Sequence, residues 1–152
     1  GDRGGITAVG KHIRAIMTSE KVLYFDRYQT PEREKAEPLG FGGCNTLDRV
    51  YAYDPLAAIP AGSESYVLGC QGNLWTEYVA TENHAMHMFL PRASALAEIQ
   101  WADPDTKDYE AFLKRLPRML DIYRLHGWTY APYVRKEIRD RETRETLKTD
   151  KP

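Results

Sequence analysis

Two short stretches carry side chains suited to chemistry, Tyr24-Phe25-Asp26 and Trp75-Thr76-Glu77. In each, an aromatic residue and a carboxylate stand two positions apart. In extended chain, residues i and i+2 point to the same side. Tyr24 therefore shares a side with Asp26, and Trp75 with Glu77. Phe25 and Thr76 face the other way, where Phe25 packs under helices. Such a surface suits a sugar ring, which has an apolar C–H face and an edge of hydroxyls. An indole covers the face, and a carboxylate accepts charge-assisted hydrogen bonds from the hydroxyls. An ordinary sheet edge, with the ring in the core and the acid in water, shows the same pattern. Asp26 and Glu77 also invite a reading as a glycosidase acid pair, but carboxylate separation decides such roles and sequence spacing does not supply it.

The elements that must position these residues follow from hydrophobic patterning. Residues 5–11 read as the end of a helix or a turn. Ile13–Met17 is a short apolar segment expected to be a buried strand. Val22–Phe25, rich in β-formers, is a second, and Tyr66–Cys70 a third. From Asp26 to Gly43 the chain is polar and broken by Pro31, Pro38, Gly40, Gly42 and Gly43, which predicts a long loop of the kind that often carries function. Thr46 can cap a short helix running through Val50 and Tyr53, which Pro55 ends. Helical spacing begins near Thr81 and takes in Ala85, Met88, Phe89, Leu96 and Ile99, with Pro91 kinking one helix or opening a second. Asp105 is placed to cap the next helix. Its apolar stripe is Tyr109, Phe112, Leu113, Leu116, Leu120 and Tyr123, and Gly127 stops it. Strand, helical connection, strand and two helices make an α/β pattern. So few strands close no barrel, so the chain reads as a piece of a larger fold.

Composition narrows the partners. With 21 basic and 22 acidic residues the formal net charge is −1, so no global positive field favours nucleic acid. No apolar run is long enough to span a bilayer. Gly1-Asp2-Arg3-Gly4-Gly5 has neither the apolar core nor the cleavage site of a secretory signal, and the chain reads as starting inside a longer one. Cys44 and Cys70 fit neither a disulfide framework nor a metal motif and read as free, partly buried thiols. His84 and His87, with Glu82 nearby, have the spacing of a metal face but no third ligand, and read as helix-surface histidines. Twelve of the last 18 residues are charged. With pairs such as Glu137/Arg141 and Asp140/Arg144 at helical spacing, and only Ile138 and Leu147 able to pack, this tail reads as a solvated helix or disordered linker.

Three ordered motifs carry a family resemblance: Val22-Leu23-Tyr24-Phe25-Asp26, the run Leu68 to Glu77 (LGCQGNLWTE), and the run Pro91 to Trp101 (PRASALAEIQW). Between them, Glu37-Pro38-Leu39 and Val50-Tyr51 with Asp54-Pro55 resemble the connecting region of bacterial members. From about Gly5 to about Tyr130 the sequence resembles glycoside hydrolase family 20, the β-N-acetylhexosaminidases. The resemblance implies the C-terminal portion of a (β/α)8 TIM barrel: its last two strands and the helices after them, over residues 1–134, with 135–152 as the charged tail. Tyr24 and Asp26 would end the seventh strand, and Trp75 and Glu77 would follow the eighth. Family members remove terminal β-linked N-acetylglucosamine or N-acetylgalactosamine by substrate-assisted, retaining catalysis, an exception to the two-carboxylate scheme. The substrate's acetamido oxygen attacks the anomeric carbon, a glutamic acid protonates the leaving oxygen, and the preceding aspartate orients the acetamido nitrogen.

Carried over residue by residue, Tyr24 would donate its hydroxyl to the acetamido oxygen, aiming the nucleophile and stabilising its developing charge. Trp75 would floor the site. Asp26 and Glu77 would hold the O4 and O6 hydroxyls, which demotes them from acid–base work to ligand holding. Arg92 and Glu98 read as structural partners joining helix to barrel, and Gln71 and Asn73 either shape the turn before Trp75 or reach ligand. No cofactor or metal is implied. The implied parent enzyme is exported, to periplasm or medium. The chain departs from the family in one respect that matters for activity. The catalytic Asp-Glu dipeptide occurs nowhere in it, and the pocket tryptophans of earlier strands are absent. The isolated chain is expected to be inactive, marginally stable and prone to associate without the N-terminal part of its own barrel. The alternative is a non-catalytic glycan-binding module.

Overall fold

The computed structural model describes residues 2–32, 37–135, 138–140 and 143. Helix α1 (Asp2–Gly10) leads into strand β1 (Ala15–Met17), which pairs in parallel with β4 (Val67–Cys70), placing Ile16 opposite Gly69 and Met17 opposite Cys70. A second parallel pair joins β2 (Arg27–Tyr28) to β3 (Phe41–Cys44). Between the pairs lie α2 (Glu20–Leu23) and α3 (Leu47–Ala52). After β4 come α4 (Glu82–Phe89), α5 (Arg92–Trp101) and α6 (Tyr109–Leu125). Parallel strand pairs connected through helices are the expected α/β arrangement.

Two expectations for the strands are corrected. Val22–Phe25 is not a strand along its length. Val22 and Leu23 donate their amides to Ser19 O, at 3.3 and 2.7 Å, which closes the single turn α2. Leu23 is then fully buried, so the turn gains the burial that a strand would otherwise offer. The β1–β4 ladder resumes past this turn. Tyr24 bridges Asn73 in parallel, Asn73 N donates to Leu23 O at 2.8 Å, and Phe25 N donates to Asn73 O at 2.6 Å. The stretch 26–43, expected to be a loop, contains β2 and the start of β3. Gly40 lets these segments close up. A Cβ there would sit 2.8 Å from Asp26 O and 2.9 Å from Met88 Cε, too tight for any other residue.

The helices follow the apolar periodicity. Leu47–Ala52 forms as expected, although Thr46 makes no side-chain cap bond. Thr81 caps α4 by accepting from His84 N at 3.1 Å. Pro91, after a cis peptide bond, opens α5 as a second helix. The cap of α6 is Asp108, which accepts from Ala111 N, and not Asp105. Asp103 caps the short turn Pro104–Thr106 that precedes it. Every residue of the expected α6 stripe is buried except Tyr109, which is partly so. Gly127, at φ +68°, ends the helix in a Schellman arrangement, with Trp128 N donating to Tyr123 O at 2.8 Å and Gly127 N to Arg124 O at 3.1 Å. Neither Cys44, which is partly buried, nor Cys70, which is buried, forms a disulfide. In the tail, Ile138 packs against the core, and Glu137, Arg141, Arg144 and Leu147 lie outside the described residues. Among the described residues no helix is long and apolar enough to cross a membrane.

Candidate functional site

The stretch Tyr24-Phe25-Asp26 is held by its backbone. Tyr24 O accepts from Asn45 Nδ2 at 3.4 Å, Phe25 O from Arg92 Nη2 at 2.6 Å, and Asp26 O from Phe41 N at 2.8 Å. Three consecutive carbonyls are thus fixed by three different residues, and side chains carried on such a segment are pre-organised. Arg92 does most of this work from beneath. It is fully buried at the start of α5, its Cζ lies 5.0 Å from the Phe25 ring centre, and Nη1 reaches Arg27 O and Asn45 O at 3.0 Å each. Nη2 also donates to Met88 O. Burial pushes the guanidinium down to about 9, which leaves it charged at neutral pH. Arg92 is therefore a structural partner, as expected. Glu98 pairs with Arg115 and so joins α5 to α6.

Phe25 turns inward as the alternation requires, fully buried and edge-on to Phe89 at 5.7 Å. The alternation fails past Trp75. Val79 N donates to Thr76 O at 3.1 Å, so the chain bends, and Thr76 is exposed and not packed under helices. Gln71 Nε2 donates to Asn73 Oδ1 at 2.8 Å, which ties the turn before Trp75 to itself.

Tyr24, Asp26, Trp75 and Glu77 nevertheless converge. Together with Glu20, Phe41 and Tyr78 they line one open cavity of about 390 Å³, within the range of small-ligand pockets. The Tyr24 and Trp75 rings lie 6.2 Å apart at 52°. Trp75 is 51% exposed, so a broad indole surface is available. Asp26 is 5% exposed, and its Oδ1 is buried without a hydrogen-bond partner among the described residues. Its carboxyl is pushed above the ordinary 3.8, chiefly by burial and further by Glu77, against its own backbone amide and the charges of Arg27 and Arg92. Asp26 lines the cavity, where a carboxylate can accept a hydrogen bond from a ligand hydroxyl.

The sequence reading did not find Glu20, Phe41 or Tyr78. Tyr78 adjoins Glu77, and Phe41 stands alone among Gly40, Gly42 and Gly43. An isolated aromatic between glycines is a signal in principle, but only the β2–β3 pairing carries Phe41 to the site. The histidines need a correction. His87 is not on the surface. It is 7% exposed, its Nε2 lies 3.6 Å from Glu37 Oε2, and its ring meets Tyr133 edge-on at 6.1 Å. Helical spacing gives a shared face but not what covers it. Here Glu37 meets that face, with its Oε1 accepting from Gln29 N and Thr30 N at 2.6 Å each. No group of three or more His, Cys, Asp or Glu among the described residues is arranged to hold a metal ion.

The chain is 39% identical over 132 residues to a β-hexosaminidase of Porphyromonas gingivalis, which covers 86% of this chain and 17% of that protein. It is 29% identical over 127 residues to a β-N-acetylhexosaminidase of Cellulomonas fimi, 82% of this chain and 25% of that one. The chain thus spans a quarter or less of the length of these relatives. Among solved structures, the GH20 β-N-acetylhexosaminidase of Streptomyces coelicolor A3(2) superposes with a TM-score of 0.73 at 26% identity, covering 85% of this chain and 26% of that one. A mutant Streptomyces plicatus β-hexosaminidase in complex with its product GlcNAc gives 0.72 at 25% identity, with the same coverage. The α/β arrangement fits part of the TIM-barrel catalytic domain of these enzymes. The model of the glycosyl hydrolase family 20 catalytic domain matches residues 2–104, and the chain belongs to that family.

Proposed function

We propose that this chain is the C-terminal part of the catalytic barrel of a β-N-acetylhexosaminidase, contributing strands seven and eight and one side of the sugar site. The observation that carries the reading is the convergence of Tyr24, Asp26, Trp75 and Glu77 on one cavity. A terminal N-acetylglucosamine or N-acetylgalactosamine lies on Trp75. The Tyr24 hydroxyl donates to the acetamido oxygen, aligning it on the anomeric carbon and stabilising the charge that develops there. Asp26 and Glu77 accept from O4 and O6. The general acid, and the aspartate beside it, come from barrel strands this chain does not include, so the chain by itself does not turn over substrate.

The exposed face of the β1–β4 pair supports a partial barrel. Ile16 and Leu68, 51% and 60% exposed, occupy the side away from the helices, which a closed barrel fills with apolar layers. The test uses the longer enzyme that carries this segment, releasing nitrophenol from a nitrophenyl N-acetylglucosaminide. Tyr24→Phe is expected to lower kcat by about 10²–10³, the usual effect of removing one donor to a developing oxyanion, with a smaller change in KM. An unchanged kcat overturns the role of Tyr24, and no hydrolysis by the unmodified enzyme overturns the reading.

A further inference from the structure

Tyr24 stands where the backbone changes conformation. The single turn α2 ends at Leu23, and Tyr24, at φ −88° and ψ 109°, is already extended. A helical turn leaves its last carbonyls without partners inside it. Here each finds one elsewhere. Leu23 O accepts from Asn73 N at 2.8 Å. Val22 O and Tyr24 O accept from one and the same group, Asn45 Nδ2, the second at 3.4 Å. That amide straddles the change of conformation and holds a carbonyl on either side of it. With Phe25 O on Arg92, the carbonyls of four successive residues, Val22 to Phe25, are held.

Asn45 is itself anchored. It follows β3 directly and is fully buried. Its N donates to Tyr28 O at 2.7 Å, and its O accepts from Arg92 Nη1 at 3.0 Å. The other end of its amide gains nothing, because Oδ1 is buried without a hydrogen-bond partner among the described residues. An unpaired buried acceptor destabilises a fold. A side chain kept for its donor despite that loss marks a place where geometry outweighs stability. Turning the amide over would set Oδ1 against two carbonyl oxygens, so the donor orientation is fixed.

On the function proposed above, on which this inference rests, the Tyr24 hydroxyl meets the acetamido oxygen. That hydroxyl is at the far end of a long side chain, so a small backbone rotation at Tyr24 displaces it by much more. A misplacement of about 1 Å lowers a rate by on the order of 10²-fold. Asn45 does not line the cavity. We propose that it is a positioning residue for the reaction, whose amide aims Tyr24 by holding Val22 O and Tyr24 O.

The experiment is a double-mutant cycle in the longer enzyme, read as kcat and KM for release of nitrophenol from a nitrophenyl N-acetylglucosaminide. Asn45→Asp, which keeps the shape and loses the donor, and Asn45→Ala are expected to lower kcat about ten- to a hundredfold, with a smaller change in KM. In a Tyr24→Phe background the same substitutions should change kcat less than about threefold, because the hydroxyl they misdirect is already gone. Leu120→Ala, a truncation of a buried side chain in α6, should lower the urea midpoint and leave kcat near that of the unmodified enzyme, which separates aiming from loss of stability. Losses that multiply in the double variants, or an unchanged kcat in both Asn45 variants, overturn the positioning role while the reaction stands. If neither Asn45 variant folds, the residue is a determinant of the fold and the role is overturned as well. No hydrolysis by the unmodified enzyme overturns the reaction and this inference together.

Discussion

The Asp26 carboxyl is nearly out of reach of water, and its Oδ1 accepts no hydrogen bond among the described residues. Burial raises its pKa above 3.8, so folding favours the protonated form. The contribution of Asp26 to stability is therefore greatest below 3.8 and is lost as pH rises through the raised value. At neutral pH the ionised group costs the fold. Asp26→Asn is expected to raise unfolding stability at pH 7 by about 1 kcal/mol, on the order of the cost of an unsatisfied buried polar group. The gain should shrink toward zero as pH is lowered past 3.8, where both side chains are neutral. Urea unfolding of the two proteins across that range checks this, and an equal or lower midpoint for the variant at pH 7 overturns it. The pairing of Tyr24 with Asp26 was legible as an i, i+2 alternation, whereas Trp75 and Glu77 line the same cavity although the alternation fails past Trp75. Phe41 and Tyr78 were not legible, because the first reaches the cavity by parallel pairing and the second by a bend after Thr76 that no local residue announces.

At the scale of elements, three aspartates within six positions, Asp103, Asp105 and Asp108, all look like helix caps. The side chains select between them. Asp108 accepts from Ala111 N at 3.0 Å and Asp103 from Asp105 N at 3.0 Å, while Asp105 caps neither turn. Asp108→Ala should cost about 1 kcal/mol, the usual loss for an N-cap. Asp105→Ala should stay within about 0.5 kcal/mol, as for an ordinary surface substitution. Chemical denaturation of the two variants distinguishes them, and equal losses would sink the assignment of the cap. Local propensity misled at Val22–Phe25 for a related reason. A run of β-formers reads as a strand, yet Ser19 O captures the amides of Val22 and Leu23. The ladder reappears only at Tyr24, where Asn73 supplies the partner.

The whole molecule has an unfinished face. Ile13, Ile16 and Leu68 are 56, 51 and 60% exposed, and β1 and β4 pair with each other alone among the described residues. Unpaired edges and apolar faces promote association. The isolated chain is expected to self-associate with rising concentration, and Ile16→Ser with Leu68→Ser to reduce this while changing monomer stability little. Sedimentation velocity over a tenfold concentration range measures it, and a monomer at all concentrations contradicts the unfinished face. On the proposed partial barrel, the same double substitution should destabilise the longer enzyme, because these side chains would there meet the barrel interior.

Helix α6, its stripe and its glycine stop, the helical spacing on either side of Pro91, the family motifs and the lack of an Asp-Glu dipeptide all belonged to the sequence. Each depends on residues close together along the chain, where periodicity and spacing are sufficient. The joining of two distant aromatic–acid stretches around one cavity, the burial of His87 against Glu37 and Tyr133, and the fixing of three successive carbonyls by Asn45, Arg92 and Phe41 belonged to the tertiary structure. These depend on contacts between remote segments, and the free energy of such a contact is set by what packing brings near and excludes from water, which no local pattern encodes.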